Sequence, residues 1–432
     1  MFRQCILIFL ALSSFFLVAN VSAKVASFDK QLQDKVIENK KTELTLLEKL
    51  VNINSGTTNL SGIHQVGNIV RQELNQLGFT TQWIELPPDM HRAGMLLAER
   101  HGNQGHRVLL IGHLDTVFPP DSQFQKFELR GTTATGPGIT DDKGGIATIL
   151  YALKALNQLH SLDNTNITVV LMGDEEDSGK PTSISRKALI NLATQNDIAL
   201  DFEWALANNT ATIARRGISH WTIEAQGKEG HSSDIFQKGT GDGAIFELSR
   251  ILNTMRTNLS GEKYLSFSPG IILGGTTITE DKSTSTGSAS GKFNVIAQAA
   301  MARGDLRFLT PEQETSARNK ILDIIGQHLP GTTASIIFKE GIPGMAPTLG
   351  NQELLKKYSQ ASMDLGFGPV TAVDPNQRGA ADISHIASQV KANLAGLGPV
   401  GTGTHSANET LDVASLSMNT QRAALLISRL TH

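Results

Sequence analysis

A chain of 432 residues, 40% hydrophobic and 18% charged, is long enough for two cores and too apolar to stay disordered. Its formal net charge of −3 offers no basic excess, which argues against a nucleic-acid partner. A single cysteine, Cys5, excludes an internal disulfide framework, so any metal site must be built from His, Asp and Glu.

The first 23 residues read as a secretory signal peptide. Arg3 supplies a positive start, Ile6 to Val18 an apolar stretch, and Val21-Ser22-Ala23 small residues for cleavage. The stretch is too short for a comfortable membrane span, so the mature chain is expected to be exported, periplasmic, and not stably inserted in a membrane. Leu44, Leu47, Leu50 and Val51 then fall at helical spacing over residues 42–53. A second helix is expected over 63–77, with Val66, Val70, Leu74 and Leu77 on one face and Gly78 as the stop. Three short apolar runs follow, at 108–111, 167–172 and 198–202, and residues 143–158 read as a helix between the first two. Short apolar runs bounded by polar residues suit strands covered on both faces, and their alternation with helices indicates an α/β domain with helices flanking the sheet.

Near Gly217 the pattern changes. Residues 220–226 alternate apolar and polar, as does a run near 294–308, which suits half-exposed strands. Residues 282–292 are a Ser/Gly/Thr-rich stretch, expected to be a mobile loop. Thr310 can cap a helix with Pro311 at its first position and Gln313 completing a capping box. The expected organisation is therefore a signal peptide (1–23), a first part of the α/β domain (24–216), an inserted α+β unit (217–338), and a second part of the α/β domain (339–432).

Four segments put metal-ligating residue types at strand ends or in glycine-rich loops, where α/β sheets build their sites. In Gly112-His113-Leu114-Asp115-Thr116 a neutral His can bind a metal, and a carboxylate two residues later can accept its other ring N–H. In Gly136-Pro137-Gly138-Ile139-Thr140-Asp141-Asp142-Lys143 the glycines allow sharp turns, and the paired aspartates are either ligands or an ordinary helix N-cap. In Gly173-Asp174-Glu175-Glu176 three adjacent acids repel unless a cation or solvent relieves them. One glutamate could then bind an ion while the other moves a proton. In Gly401-Thr402-Gly403-Thr404-His405 a histidine stands in an unobstructed loop.

Taken in this order, the motifs resemble the M20 metallopeptidases, closest to their glutamate carboxypeptidase branch, over nearly the whole mature chain. The resemblance implies a zinc-peptidase-like catalytic domain with a mixed sheet, and an inserted domain that serves as lid and dimerisation unit. It implies two zinc ions. His113 would hold one and be oriented by Asp115, and Asp141 would bridge both, with a cis peptide to Asp142. Glu176 and His405 would hold the second, and Glu175 would be the general base. The remaining ligand is an acid at a strand end some way after the glutamate pair. Glu203 in Ala199-Leu200-Asp201-Phe202-Glu203 fits, with Asp201 as its rival, although Trp204 follows where the family often has a small residue or Pro.

In the inserted unit, His231 of Gly227-Lys228-Glu229-Gly230-His231 resembles the family's lid histidine, which stabilises an oxyanion. Asn294 and Arg307 resemble substrate-contacting positions, and an Arg fork suits a carboxylate. The plainer role for Arg307 is a strand-surface ion pair. The segment between Gly275 and Asn294 is longer than the family norm. The resemblance thus implies hydrolysis of an amide in a small peptide or N-acyl amino acid, either as a carboxypeptidase or as an N-acyl amino acid deacylase. A non-catalytic metal- or peptide-binding protein is the alternative from another class, and the presence of Glu175 speaks against it.

Overall fold

The structure is a computed structural model and describes residues 2–281 and 286–432, with side chains from residue 27 onward. The side chains of the expected signal peptide, residues 1–23, lie outside the described residues. Among the described residues no helix is long and apolar enough to cross a membrane.

The chain forms two compact units. The first comprises Met1–Ile213, Pro347–Val373 and Ser388–His432, and the second comprises Ala214–Ala346 and Asp374–Ala387. The inserted unit thus differs from the expected 217–338, and it includes a segment that the sequence reading gave to the catalytic domain. One physical link is the Arg215 guanidinium, which donates to the Gly379 carbonyl at 3.2 Å. Such a contact leaves no periodic trace in sequence.

In the first unit a six-stranded sheet runs in the order Thr80–Ile84, Met95–Arg100, Thr165–Met172, Gln104–His113, Ile198–Asp201 and Ala392–Leu394. The first three strands join antiparallel to one another, and the remaining pairings are parallel, so the sheet is mixed. Val108 to Ile111 and Ile167 to Met172 are buried at every position, as strands covered on both faces must be. Each such side chain contributes roughly 1.5–3 kcal/mol by leaving water.

The helix Lys143–Gln158 is apolar nearly all round and buried from Lys143 to Tyr151 without a break. The helices Phe2–Val51, Leu349–Asp364 and Val413–Thr431 add to the same core. The helix Leu60–Gln76 is capped by the Asn59 side chain, which accepts from the Gly62 amide. It ends before Gly78, whose φ of 81° is a left-handed turn suited to glycine.

In the second unit four antiparallel strands are ordered Ser266–Gly275, Ala299–Phe308, Gly217–Gln226 and Thr333–Ile342. Trp221, Ile223 and Ala225 point into a core with Leu248, Ile251 and Met255 of the helix Ala244–Leu259 and Ile321 and Ile324 of the helix Pro311–Ile325. His220 and Glu224, which alternate with them on the strand, are exposed.

Two expectations change in this unit. The Ser/Gly/Thr-rich stretch contains a strand, Thr286–Ser290, paired antiparallel with Thr277–Asp281. Residues 282–285 of the expected mobile loop lie outside the described residues. Thr310 caps its helix by accepting from the Gln313 amide at 3.2 Å, but the Gln313 side chain accepts from the Leu309 amide rather than closing the box on Thr310.

Candidate active site

Three parallel strands end side by side. His113 is the last residue of its strand, Met172 lies opposite it, and Ile111 pairs with Asp201 on the other side. Chain continuation then delivers Glu175 and Glu176 from one neighbour and Glu203 from the other. The fourth contributor is the turn before the helix Lys143–Gln158. Gly145 belongs there because an added Cβ would meet Asp142 Oδ1 at 2.0 Å and the Phe202 carbonyl at 2.1 Å. The peptide between Asp141 and Asp142 is cis. Asp142 occupies the N-cap position but makes no cap bond, and its Oδ2 instead accepts from the His113 amide at 3.1 Å.

Asp141 stands between two histidines. Its Oδ1 is 3.1 Å from His113 Nε2 and its Oδ2 is 3.2 Å from His405 Nε2. His405 Nε2 is also 3.2 Å from Glu176 Oε2. Ligand atoms of His113, Asp141 and Glu176 lie within 4.8 Å of one another, and those of His113, Glu175 and Glu203 do the same. The rival Asp201 joins neither group, and its Oδ1 accepts from the Glu203 amide at 3.3 Å.

Asp115 does more than neighbour the histidine. His113 Nδ1 is 3.1 Å from the Asp115 carbonyl and 3.5 Å from Oδ1, so the closer partner is the backbone. The Asp115 carboxylate accepts from the amides of Glu175 at 3.0 Å and Glu176 at 3.1 Å, and from the Thr57 hydroxyl at 2.7 Å. It therefore fixes the backbone of both glutamates. The three adjacent acids also separate, because Asp174 pairs with the buried Arg186 guanidinium at 2.8 Å and accepts from the Gly179 amide.

The electrostatics favour positive charge here. Burial opposes a charged His113, but hydrogen bonds to Asp115 and Asp141 overcome it and hold its pKa well above the ordinary value. Hydrogen bonds to Asp141 and Glu176 raise His405 to about 10. Burial would raise Asp141, yet its two histidine partners hold it below the usual carboxylate range. Burial raises Glu176 and Asp142. Glu176 Oε1 is buried without a hydrogen-bond partner. Carboxylate and imidazole donors of this kind, with an unpartnered buried oxygen among them, fit divalent cations, whose binding displaces protons.

The sequence pattern of the peptidase family M20/M25/M40 matches residues 109–429. The chain belongs to that family. It is 30% identical over 395 residues to carboxypeptidase G2 of Pseudomonas sp. (strain RS-16), covering 88% of this chain and 87% of the relative. It is 25% identical over 364 residues to succinyl-diaminopimelate desuccinylase of Acidiphilium cryptum (strain JF-5), covering 81% and 88%. Among solved structures, the aminopeptidase PepT of Bacillus cereus superposes with a TM-score of 0.72 at 16% identity, covering 91% of this chain and 99% of that one. The Bacillus subtilis YXEP protein, a dinuclear metal-binding M20 peptidase, gives 0.62 at 16% identity, covering 91% and 98%. These two similarities establish the M20 fold. The chain is thus an M20-type metallohydrolase, of the group that contains carboxypeptidases and amidohydrolases.

The M20 residues of the inserted unit are arranged differently from those of the first. His231 and Asn294 are exposed and adjacent, since His231 bridges to Val295 and the Ser232 amide donates to the Asn294 carbonyl at 2.9 Å. His231 Nδ1 lies 2.8 Å from the Ser233 hydroxyl. Arg307 is not brought to them. It sits near the far end of the strand Ala299–Phe308, opposite Ile218, about 25 Å along at roughly 3.3 Å per residue. There its Nε donates to Asp305 at 2.9 Å.

Three residues of this M20 site carry no mark in the sequence reading. Thr57 acts through its hydroxyl bond to Asp115, and Arg186 through guanidinium bonds to the Asp174 carboxylate and carbonyl. Glu409 accepts from the amides of Gly138, Thr140 and Asp141. The available signal for Glu409 was a carboxylate four residues after His405, in the same glycine-rich loop.

Proposed function

We propose that this M20 enzyme is an exported, periplasmic dinuclear zinc hydrolase that cleaves an amide bond and releases a C-terminal amino acid, such as glutamate, from a small peptide or N-acyl conjugate. The observation that carries this reading is the Asp141 carboxylate, which offers one oxygen to each of two histidines at 3.1 and 3.2 Å with Glu175, Glu176 and Glu203 around it. His113, Asp141 and Glu203 are assigned to one zinc, and Asp141, Glu176 and His405 to the other. When bound, the ions polarise the scissile carbonyl and lower the pKa of water towards ~7.

Glu175 takes a proton from the attacking water and returns it to the leaving amine. Its amide is anchored by Asp115 Oδ1, which limits the positions its carboxylate can sample. Within the proposed homodimer His231 and Asn294 serve the neighbouring subunit's site, His231 donating to the developing oxyanion and Asn294 contacting the substrate. Arg307, far along its strand from both, grips a substrate carboxylate bidentately in its own subunit's site. The similarity to carboxypeptidase G2 supports carboxypeptidase action. The start of the chain, with Arg3, the apolar run and Val21-Ser22-Ala23, supports export. A homodimer through the inserted unit belongs to the same proposal, and exposed Phe236, Phe246 and Ile272 on that unit support it.

A second reading, an N-acyl amino acid deacylase, is favoured by the similarity to the desuccinylase. Purified protein assayed on C-terminal Glu, Asp and Gly conjugates beside N-acetyl and N-succinyl amino acids separates the two. Preferential cleavage of the C-terminal conjugates supports the carboxypeptidase, and preference for the acyl amino acids overturns it. Inertness on the whole panel by zinc-replete protein would favour a binding protein instead.

A further inference from the structure

The loop that carries His405 is closed by a short hairpin. Gly401 pairs with Leu411 and Thr402 with Thr410. Between them Gly403 and His405 adopt positive φ, the Ser406 amide donates to the Gly403 carbonyl at 3.1 Å, and the Glu409 amide donates to the Ser406 carbonyl at 3.1 Å. These turns bring the fully buried Glu409 side chain back into the first unit.

There it meets three amides that precede the helix Lys143–Gln158. Glu409 Oε1 accepts from Thr140 at 2.8 Å and Asp141 at 3.1 Å, and Oε2 accepts from Gly138 at 2.9 Å. The Thr140 hydroxyl adds a bond to the Thr410 carbonyl at 2.6 Å. Buried amides need such partners, and one carboxylate supplies all three. The same carboxylate therefore joins two loops whose functional side chains, Asp141 and His405, meet at 3.2 Å.

We propose that Glu409 is a positioning residue for the metal centre: by clamping the Gly138–Asp141 amides from the His405 loop, it sets the separation of Asp141 and His405 and so controls affinity at the cation position they share. The inference rests on the two-zinc reading above. Glu409 touches neither substrate nor reacting atoms. An acid with a purely structural role would fill the same space and satisfy the same amides, but would have no special hold on metal affinity.

The two cases separate in the full-length chain stripped by chelator and titrated with Zn2+ alone against a competing chelator. Glu409→Gln keeps the volume and one carbonyl oxygen, but sets an NH2 group against one set of amide donors. The wild type is expected to take two ions. In Glu409→Gln at least one of the two ions should bind about 10- to 100-fold less tightly, the magnitude found for residues that orient metal ligands. Melting of the zinc-free forms, run in parallel, reports the structural contribution. A lowered melting temperature with both zinc affinities unchanged overturns the proposal. Glu409→Ala should show a larger loss, and if it does not fold, Glu409→Gln decides. A wild type that takes fewer than two ions overturns the two-zinc reading and this inference with it. A wild type that takes two, with an unchanged variant, overturns the role of Glu409 alone.

Discussion

Most of the side chains assigned to chemistry in the first unit are buried or half-buried and hold one another, His405 with its 57% exposed side chain being the exception, whereas those in the inserted unit reach solvent. His113 is 2% exposed and Asp115 0%, and Asp115 alone accepts hydrogen bonds from three donors. His231 and Asn294 are exposed, and Arg307 has a 35% exposed side chain with one carboxylate partner, Asp305. The two sheets show the same contrast, since one is covered on both faces and the other on one. Ligands that meet a doubly charged ion must be placed before it arrives, and surrounding bonds hold their rotamers. Groups that meet a substrate must remain reachable. Substitutions in the first unit should therefore change metal binding or the chemical step, while those in the inserted unit should change catalysis without a cost in stability.

The largest expected effect is at Glu175. Glu175→Ala should lower kcat by about 10²- to 10⁴-fold with metal content intact, read from steady-state rates beside elemental analysis. Near-normal turnover would remove Glu175 from the role of base. Next comes His231→Ala, which removes the proposed oxyanion donor and should cost roughly 10²- to 10³-fold in kcat. Because its ring touches little but Ser233, melting should stay unchanged, and a clear drop would break the contrast between the units. Asp115→Ala releases the Glu175 and Glu176 amides and the Thr57 hydroxyl, and should weaken zinc affinity or activity by about 10- to 100-fold. If it lowered stability alone, the buried network would be scaffolding rather than site.

The smallest effect lies away from the site. Burial pushes Glu43 up to about 8, and its Oε1 is 2.5 Å from the Thr420 hydroxyl. That hydroxyl also reaches the Leu416 carbonyl at 3.0 Å, and its one proton serves both contacts only if Glu43 is itself a donor. With an ordinary value of 4.5 in the unfolded chain, folded Glu43 keeps a proton that the unfolded state has released. Stability from this group is thus fully present below pH 4.5, falls as pH rises towards 8, and is level above that. Thermal melts of Glu43→Gln across this range should be flatter with pH than those of the wild type by a few degrees, with kcat unchanged. An identical slope would contradict the burial argument.

The parts of the fold that could be read in sequence are those with a strong period or a strong local signal. The strands around 108–111 and 167–172 announce themselves by short, dense apolar runs, and the helix at 143–158 by Ile146, Ile149, Leu150, Leu153 and Leu156 at helical spacing. The edge strand Thr80–Ile84 and its neighbour Met95–Arg100 do not, because the first mixes threonine, glutamine and tryptophan and the second ends in Glu99-Arg100. The Ser/Gly/Thr stretch misled because exposed strands need no apolar face, and Thr286–Ser290 is exposed throughout. At the site, the motifs carrying His113, Asp141, Glu176 and His405 stand in glycine-rich or strand-end contexts, and the structure brings all four together. Glu409 showed only as a carboxylate four residues after His405, and Thr57 not at all, because their roles are hydrogen bonds to residues far away in sequence, which composition and spacing do not record.

Metal content and hydrolysis measured on the same sample test the two-ion hydrolytic site head-on. Elemental analysis of the purified chain should find two divalent ions per chain. Hydrolysis of a C-terminal glutamyl conjugate should vanish on chelation and return on adding zinc. Hydrolysis that continues at full rate after complete metal removal would contradict the account.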